Sequence, residues 1–167
     1  MGLSETMVNC AKSEDEPSRS VIITLDGPAG VGKTTAARGL SDKLRFLFLD
    51  TGALYRAVAV HLLRCGISPN TQTVPPTAID SLDLRVDMGI GAMRVYLNDE
   101  EIGPLIRAEE ISAAASKFSA LKEVREALLA IQRTTADQHN TVAEGRDMGT
   151  VVFPYADVKF FLTADLT

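Results

Sequence analysis

Apolar and polar positions along this chain fall into two rhythms. Val21-Ile22-Ile23-Thr24-Leu25, Phe46-Leu47-Phe48-Leu49, Thr141-Val142-Ala143 and Val158-Lys159-Phe160-Phe161-Leu162 are short apolar runs, several of them β-branched. Runs of this length and texture predict strands, and the first reads as buried on both faces. Between them the apolar residues return at helical spacing. Ala36, Ala37, Leu40 and Leu44 follow the first run; Tyr55, Val58, Ala59, Leu62 and Leu63 follow the second, with Gly66 placed to end that helix. Helical texture resumes near Glu109, breaks or bends near Ser119 and continues to about Asp137.

The stretch between these parts has a different pattern. Residues 67–80 read as a loop, with Pro69, Pro75 and Pro76. Leu82, Leu84 and Val86 then alternate with Asp83, Arg85 and Asp87. After Gly89-Ile90-Gly91, Met93, Val95 and Leu97 alternate with Arg94, Tyr96 and Asn98. Period-two alternation around a glycine turn predicts a half-exposed antiparallel hairpin. Strands alternating with helices otherwise predict a three-layer α/β domain with a mainly parallel sheet, into which this hairpin is inserted. Residues 1–20 carry Glu14-Asp15-Glu16-Pro17-Ser18 and no periodicity; they are expected to be a disordered tail, so that the domain covers residues 21–167.

Composition narrows the function classes only a little. A chain of 167 residues, 46% hydrophobic and 23% charged, suits one ordinary globular domain. A net charge of −5 argues against a general nucleic-acid surface, while leaving room for a local basic pocket. No apolar run approaches the ~18 residues of a membrane span, so no membrane role is expected. The two cysteines, Cys10 and Cys65, demand no disulfide, which suits the reducing cytoplasm. Cys65, before Gly66, reads as a small buried residue. His61 and His139 have no partner at metal-ligand spacing and read as packing or surface residues.

Chemistry enters with Gly27-Pro28-Ala29-Gly30-Val31-Gly32-Lys33-Thr34-Thr35, which satisfies the G-x-x-x-x-G-K-[ST] pattern between a strand and a helix. Glycines let the backbone curl until successive N–H groups point at phosphate oxygens, and the helix N-terminus adds a favourable dipole. Lys33 is then expected to bridge the terminal phosphates of a nucleotide donor such as ATP, and the Thr34 hydroxyl to ligate Mg²⁺. The bland alternative is a glycine-rich turn without a ligand. The motif alone does not choose among GTPases, other ATPases and small-molecule kinases.

Three further segments act together with it: Leu49-Asp50-Thr51-Gly52-Ala53-Leu54-Tyr55-Arg56, Ala114-Ala115-Ser116-Lys117 with Val124-Arg125, and the run from Ala143-Glu144-Gly145-Arg146-Asp147 to Pro154. From about Val21 onward, these closely resemble the bacterial-type cytidylate kinase family. The resemblance implies the P-loop nucleoside-monophosphate-kinase fold, with an acceptor-binding insertion at about 67–120, transfer of phosphate from ATP to CMP or dCMP, a requirement for Mg²⁺, and a monomer. It implies that Arg56 and Arg146 hold the acceptor phosphate, with Lys33 forming the catalytic cations. Asp147 would bind the pentose hydroxyl, with Thr51 near the same sugar and phosphate. Ser116 and Arg125 would read the cytosine edge. Glu144 would hold Mg²⁺ through water. Arg56, Arg125 and the Arg146–Asp147 pair could instead be solvated surface charges, and Ser116 a packing residue. The family continues past Leu162-Thr163-Ala164 into an arginine-rich helix, a lid and a final strand and helix. A chain ending at Thr167 is therefore expected to catalyse poorly and to expose apolar surface. Two other readings stay open: another P-loop small-molecule kinase and a non-catalytic nucleotide-binding piece. A GTPase is disfavoured because no Asn-Lys-x-Asp base-reading motif occurs.

Overall fold

A computed structural model describes residues 19–136 and 139–163; the remainder of the expected N-terminal tail, residues 1–18, lies outside the described residues. Four strands form the central sheet: β1 (Ile22–Asp26), β2 (Leu47–Asp50), β6 (Thr141–Gly145) and β7 (Val158–Phe161). All pair in parallel, in the order β2-β6-β1-β7. The first helix, α1 (Lys33–Leu44), follows β1, and α2 (Thr51–Arg64) follows β2. Further along are α4 (Glu109–Phe118) and α5 (Lys122–Ala136).

Side-chain alternation sorts the strands' residues between two cores. Ile23, Leu25, Phe48 and Val142 cluster with Ala37 of α1 on one face. The opposite face feeds a larger core, in which Leu49 and Ala143 join Leu54, Val58 and Leu62 of α2, Phe118 of α4 and Leu128 of α5. Fully burying side chains of this size is worth about 1.5–3 kcal/mol each, so this second layer is what fixes the helices over the sheet. The three expected layers are thus present.

The inserted hairpin is β3 (Leu84–Met88) paired with β4 (Met93–Leu97). Its inner residues Val95 and Leu97 are buried, while Arg85, Asp87 and Arg94 are exposed, as alternation requires. A two-residue strand, β5 (Glu100–Glu101), adds to it. The hairpin turn reaches the main sheet: Phe48 N–H donates to the Gly89 carbonyl at 3.0 Å, and Leu47 forms a bridge with Ile90.

Several expectations need correction. The loop read over 67–80 contains a short helix, α3 (Pro76–Asp80), because Pro76 sits in its first turn, where a missing N–H costs nothing. Cys65 is exposed at the end of α2 rather than buried. Residues 19 and 20 belong to the ordered domain, since Arg19 donates to the Tyr155 carbonyl and pairs with Asp157 at 3.0 Å. No such correction applies to the last strand, β7, which is exposed along its length in a chain expected to expose apolar surface. His61 does pack as expected: it is buried, and its Nε2 lies 2.7 Å from the Ala78 carbonyl, tying α2 to α3.

Candidate active site

At the carboxyl ends of β1, β2 and β6 the structure opens into a cleft of about 430 Å³. This is the end of a parallel sheet where ligands of α/β folds bind. One wall is the Gly27–Thr34 loop and the start of α1. Gly30 and Gly32 take φ values of 82° and 85°, which lets the loop curl back over the helix end. The first turn of α1 has no capping side chain and no acidic residue. Its leading N–H groups are therefore available to an anion. Lys33 Nζ donates to the Pro28 carbonyl at 2.6 Å, which lays the ammonium across the loop.

The other walls come from α2, α4, α5 and the segment after β6. Lys33, Thr34, Thr51, Arg56, Ser116, Arg125, Glu144, Arg146 and Asp147 all line this one cleft, together with Ala29 and Gly30. Gly27, Pro28, Val31, Gly32 and Thr35 shape the loop behind it without lining it. Arg146 is exposed and forms no ion pair among the described residues. Arg56 approaches the Asp50 carboxylate at 3.4 Å. Ser116 is exposed, not packed in the core. Thr51 is buried and its hydroxyl donates to the Glu144 carbonyl at 2.7 Å, so its proton is committed to joining α2 to β6.

Arg125 and Asp147 are bonded to each other at 2.5 Å. Beside them stands Tyr55, a cleft residue the sequence did not single out. Burial pushes its phenol up, Arg125 opposes the shift and Asp147 adds to it. Asp50 was missed as well: it caps α2 by accepting the Ala53 N–H at 2.9 Å while facing Arg56. An Asp directly before a helical pattern is a sequence signal that could have found it.

Glu144 sits at the floor of the cleft, 4% exposed, and its Oε1 has no hydrogen-bond partner. Burial pushes its carboxyl up, a hydrogen bond from Thr34 opposes this, and Asp50 adds to it, while Lys33 and Arg38 favour the charge. Among the described residues no cluster of three or more His, Cys, Asp and Glu could hold a metal directly. A hydroxyl from Thr34 and an orphaned buried carboxylate oxygen from Glu144 do fit a hydrated Mg²⁺ ion, which prefers hard oxygen donors and keeps several waters.

A phosphate loop facing two arginines across a cleft occurs in several kinase families, and similarity to known proteins shows which family this chain joins. The family model for cytidylate kinase matches residues 23–167. The chain belongs to the cytidylate kinase family. Cytidylate kinase of Nitrosococcus oceani is 48% identical over 145 residues, covering 86% of this chain and 64% of that protein. The cytidylate kinase of Solibacter usitatus is 42% identical over 151 residues, covering 90% and 63%. That of Carboxydothermus hydrogenoformans is 44% identical over 142 residues, covering 85% and 64%. This member therefore spans 63–65% of the length of the curated cytidylate kinases it matches. No helix among its described residues is long and apolar enough to cross a membrane.

Proposed function

We propose that this protein transfers the γ-phosphoryl group of ATP to CMP or dCMP, yielding ADP and CDP or dCDP, in the cytoplasm and with a single chain as the catalytic unit. The observation that supports it is the single cleft shared by the phosphate loop and by Arg56, Arg146 and Asp147. In this reading an α-phosphate oxygen of the acceptor attacks the γ-phosphorus as the bond to the β,γ-bridging oxygen breaks. Such transfer needs no covalent enzyme intermediate, only alignment and charge stabilisation. The loop amides and Lys33 hold the donor phosphates. Arg56 and Arg146 fork onto the acceptor phosphate, keeping two anions close that would otherwise repel. Asp147 receives the sugar hydroxyl, with Thr51 packed beneath. Ser116 and Arg125 take the base edge. Thr34 and Glu144, the latter through water, would hold Mg²⁺, which neutralises phosphate charge when bound.

The test is coupled ADP release with ATP, Mg²⁺ and CMP, using UMP, AMP and shikimate as rival acceptors. CMP and dCMP are expected to be preferred. Arg146→Ala is expected to lower turnover roughly 10³-fold, as for other arginines that meet transferring phosphoryl groups. Turnover indifferent to the acceptor would reject the assignment. Tight ATP and CMP binding without turnover would favour a non-catalytic nucleotide-binding role.

A further inference from the structure

Asp26 is the last residue of β1, directly before the phosphate loop, and is 6% exposed. Its carboxylate is spent on backbone far away in sequence. Oδ1 accepts the Met148 N–H and Oδ2 the Gly149 N–H, both at 2.8 Å. These two amides open a π-helical turn, Met148–Val152, that follows Arg146 and Asp147 without a break. A carboxylate receiving adjacent helix-end amides is a charge-assisted, two-pronged contact, stronger than neutral hydrogen bonds.

Other contacts hold the same turn in place. At its carbonyl end, Arg133 donates Nε to the Val152 carbonyl and Nη2 to the Val151 carbonyl, both at 2.9 Å. A Cβ at Gly149 would lie 2.8 Å from Thr24 Oγ1 and 3.3 Å from Asp26 Oδ2, so only glycine permits this approach to β1. The strands bring Asp26 opposite Gly145 in register, but backbone pairing stops there. Past that point the Asp26 carboxylate is what joins the arginine-bearing segment to the strand that leads into the phosphate loop.

We infer that Asp26 is a positioning residue for phosphoryl transfer: its carboxylate bolts the Arg146–Asp147 segment to the donor-phosphate loop, so that both walls of the cleft move as one body. This rests on the proposed kinase reading, in which the loop holds the donor and Arg146 the acceptor. Misplacing two reacting groups by about 1 Å can cost on the order of 100-fold in rate, even where each ligand still binds.

Asp26→Asn retains size and one acceptor oxygen but turns an amide N–H toward a backbone N–H. Its kcat is expected to fall roughly 100-fold, with the separate affinities for ATP–Mg²⁺ and CMP changed less than about threefold. Amide exchange at Met148 and Gly149 is expected to quicken at least about tenfold, with the amides of Leu25 and Phe48 unaffected. Wild-type kinetics in the variant would overturn the inference. So would losses of both affinities and of core protection in proportion to kcat, since these mark a purely structural role. Should the wild-type chain fail to phosphorylate CMP, or the variant fail to fold, wild-type exchange alone decides. ATP–Mg²⁺ is expected to slow exchange at Met148 and Gly149; amides indifferent to ATP–Mg²⁺ that is demonstrably bound would refute the coupling.

Discussion

Glu144 is a carboxylate in a place that disfavours its charge. It is buried at the cleft floor with one oxygen unpartnered, and burial pushes its carboxyl above the ordinary range. A raised folded-state value means that the folded protein holds this proton more tightly than the unfolded chain. The group therefore favours folding below the unfolded carboxyl value and loses that contribution as pH rises through the folded one. Glu144→Gln is accordingly expected to melt higher than the wild type at about pH 8, the advantage disappearing near pH 4, where unperturbed carboxyls protonate. The same variant is expected to weaken Mg²⁺-dependent ATP binding, read by titration with and without the ion. Equal melting temperatures at both pH values would show that Glu144 feels no such penalty. At this scale the sequence was informative where residue type and chemistry coincide: Lys33 and Thr34 follow from a motif with a physical reason behind each position. Asp26 and Tyr55 were not legible, because their partners lie far along the chain at residues 147 to 149. Cys65 misled for a related reason, since its exposure depends on how α2 ends against its neighbours.

Helices announced themselves through spacing and punctuation. Those now seen as α1, α2, α4 and α5 carry apolar stripes that face the two cores, and their ends fall at Gly66 and near Ser119 as periodicity suggested. What escaped were elements too short to show a period. The π-helical turn at Met148–Val152 exists through the Asp26 and Arg133 contacts, and β5 through pairing with β4. The start of α2 shows how one element's end can serve two purposes. Asp50 caps it through the Ala53 N–H and stands 3.4 Å from Arg56. Asp50→Ala is expected to cost about 1 kcal/mol of stability, the usual loss for such a cap. Urea unfolding measures it, with an unchanged m-value indicating that the fold persists. Arg56 would be released from that carboxylate at the same time, so affinity for CMP is expected not to fall with the stability. A change below about 0.5 kcal/mol, the scale of an uninvolved surface site, would mean the cap contributes nothing.

The whole molecule presents a central sheet with two unlike edges. At β2 the hairpin turn intervenes, with Gly89 and Ile90 engaging Phe48 and Leu47. At β7 nothing among the described residues pairs with the outer edge, and Val158, Phe160 and Phe161 are 41%, 47% and 69% exposed. The sequence marked Val158–Leu162 as a strand by its apolar run, but could not say whether it lay inside the sheet or at its margin, because sheet order is a property of the whole chain. Strand edges with free N–H and C=O groups and apolar side chains recruit further strands unless charge or cover prevents it. Lys159 is the one charge on β7, flanked on both sides by apolar residues. The chain is therefore expected to self-associate reversibly at concentrations on the order of 100 µM, seen by sedimentation as a weight-average mass rising with concentration. Phe161→Lys introduces a second charge at the most exposed apolar position of the strand, where little packing is lost. It is expected to shift that rise to higher concentration without altering ATP or CMP affinity, since Phe161 does not line the cleft. A wild-type chain that stays monomeric throughout the range would show that twist or local motion already protects this edge. Association undiminished in Phe161→Lys would move the contact away from β7, to another exposed apolar position such as Tyr155.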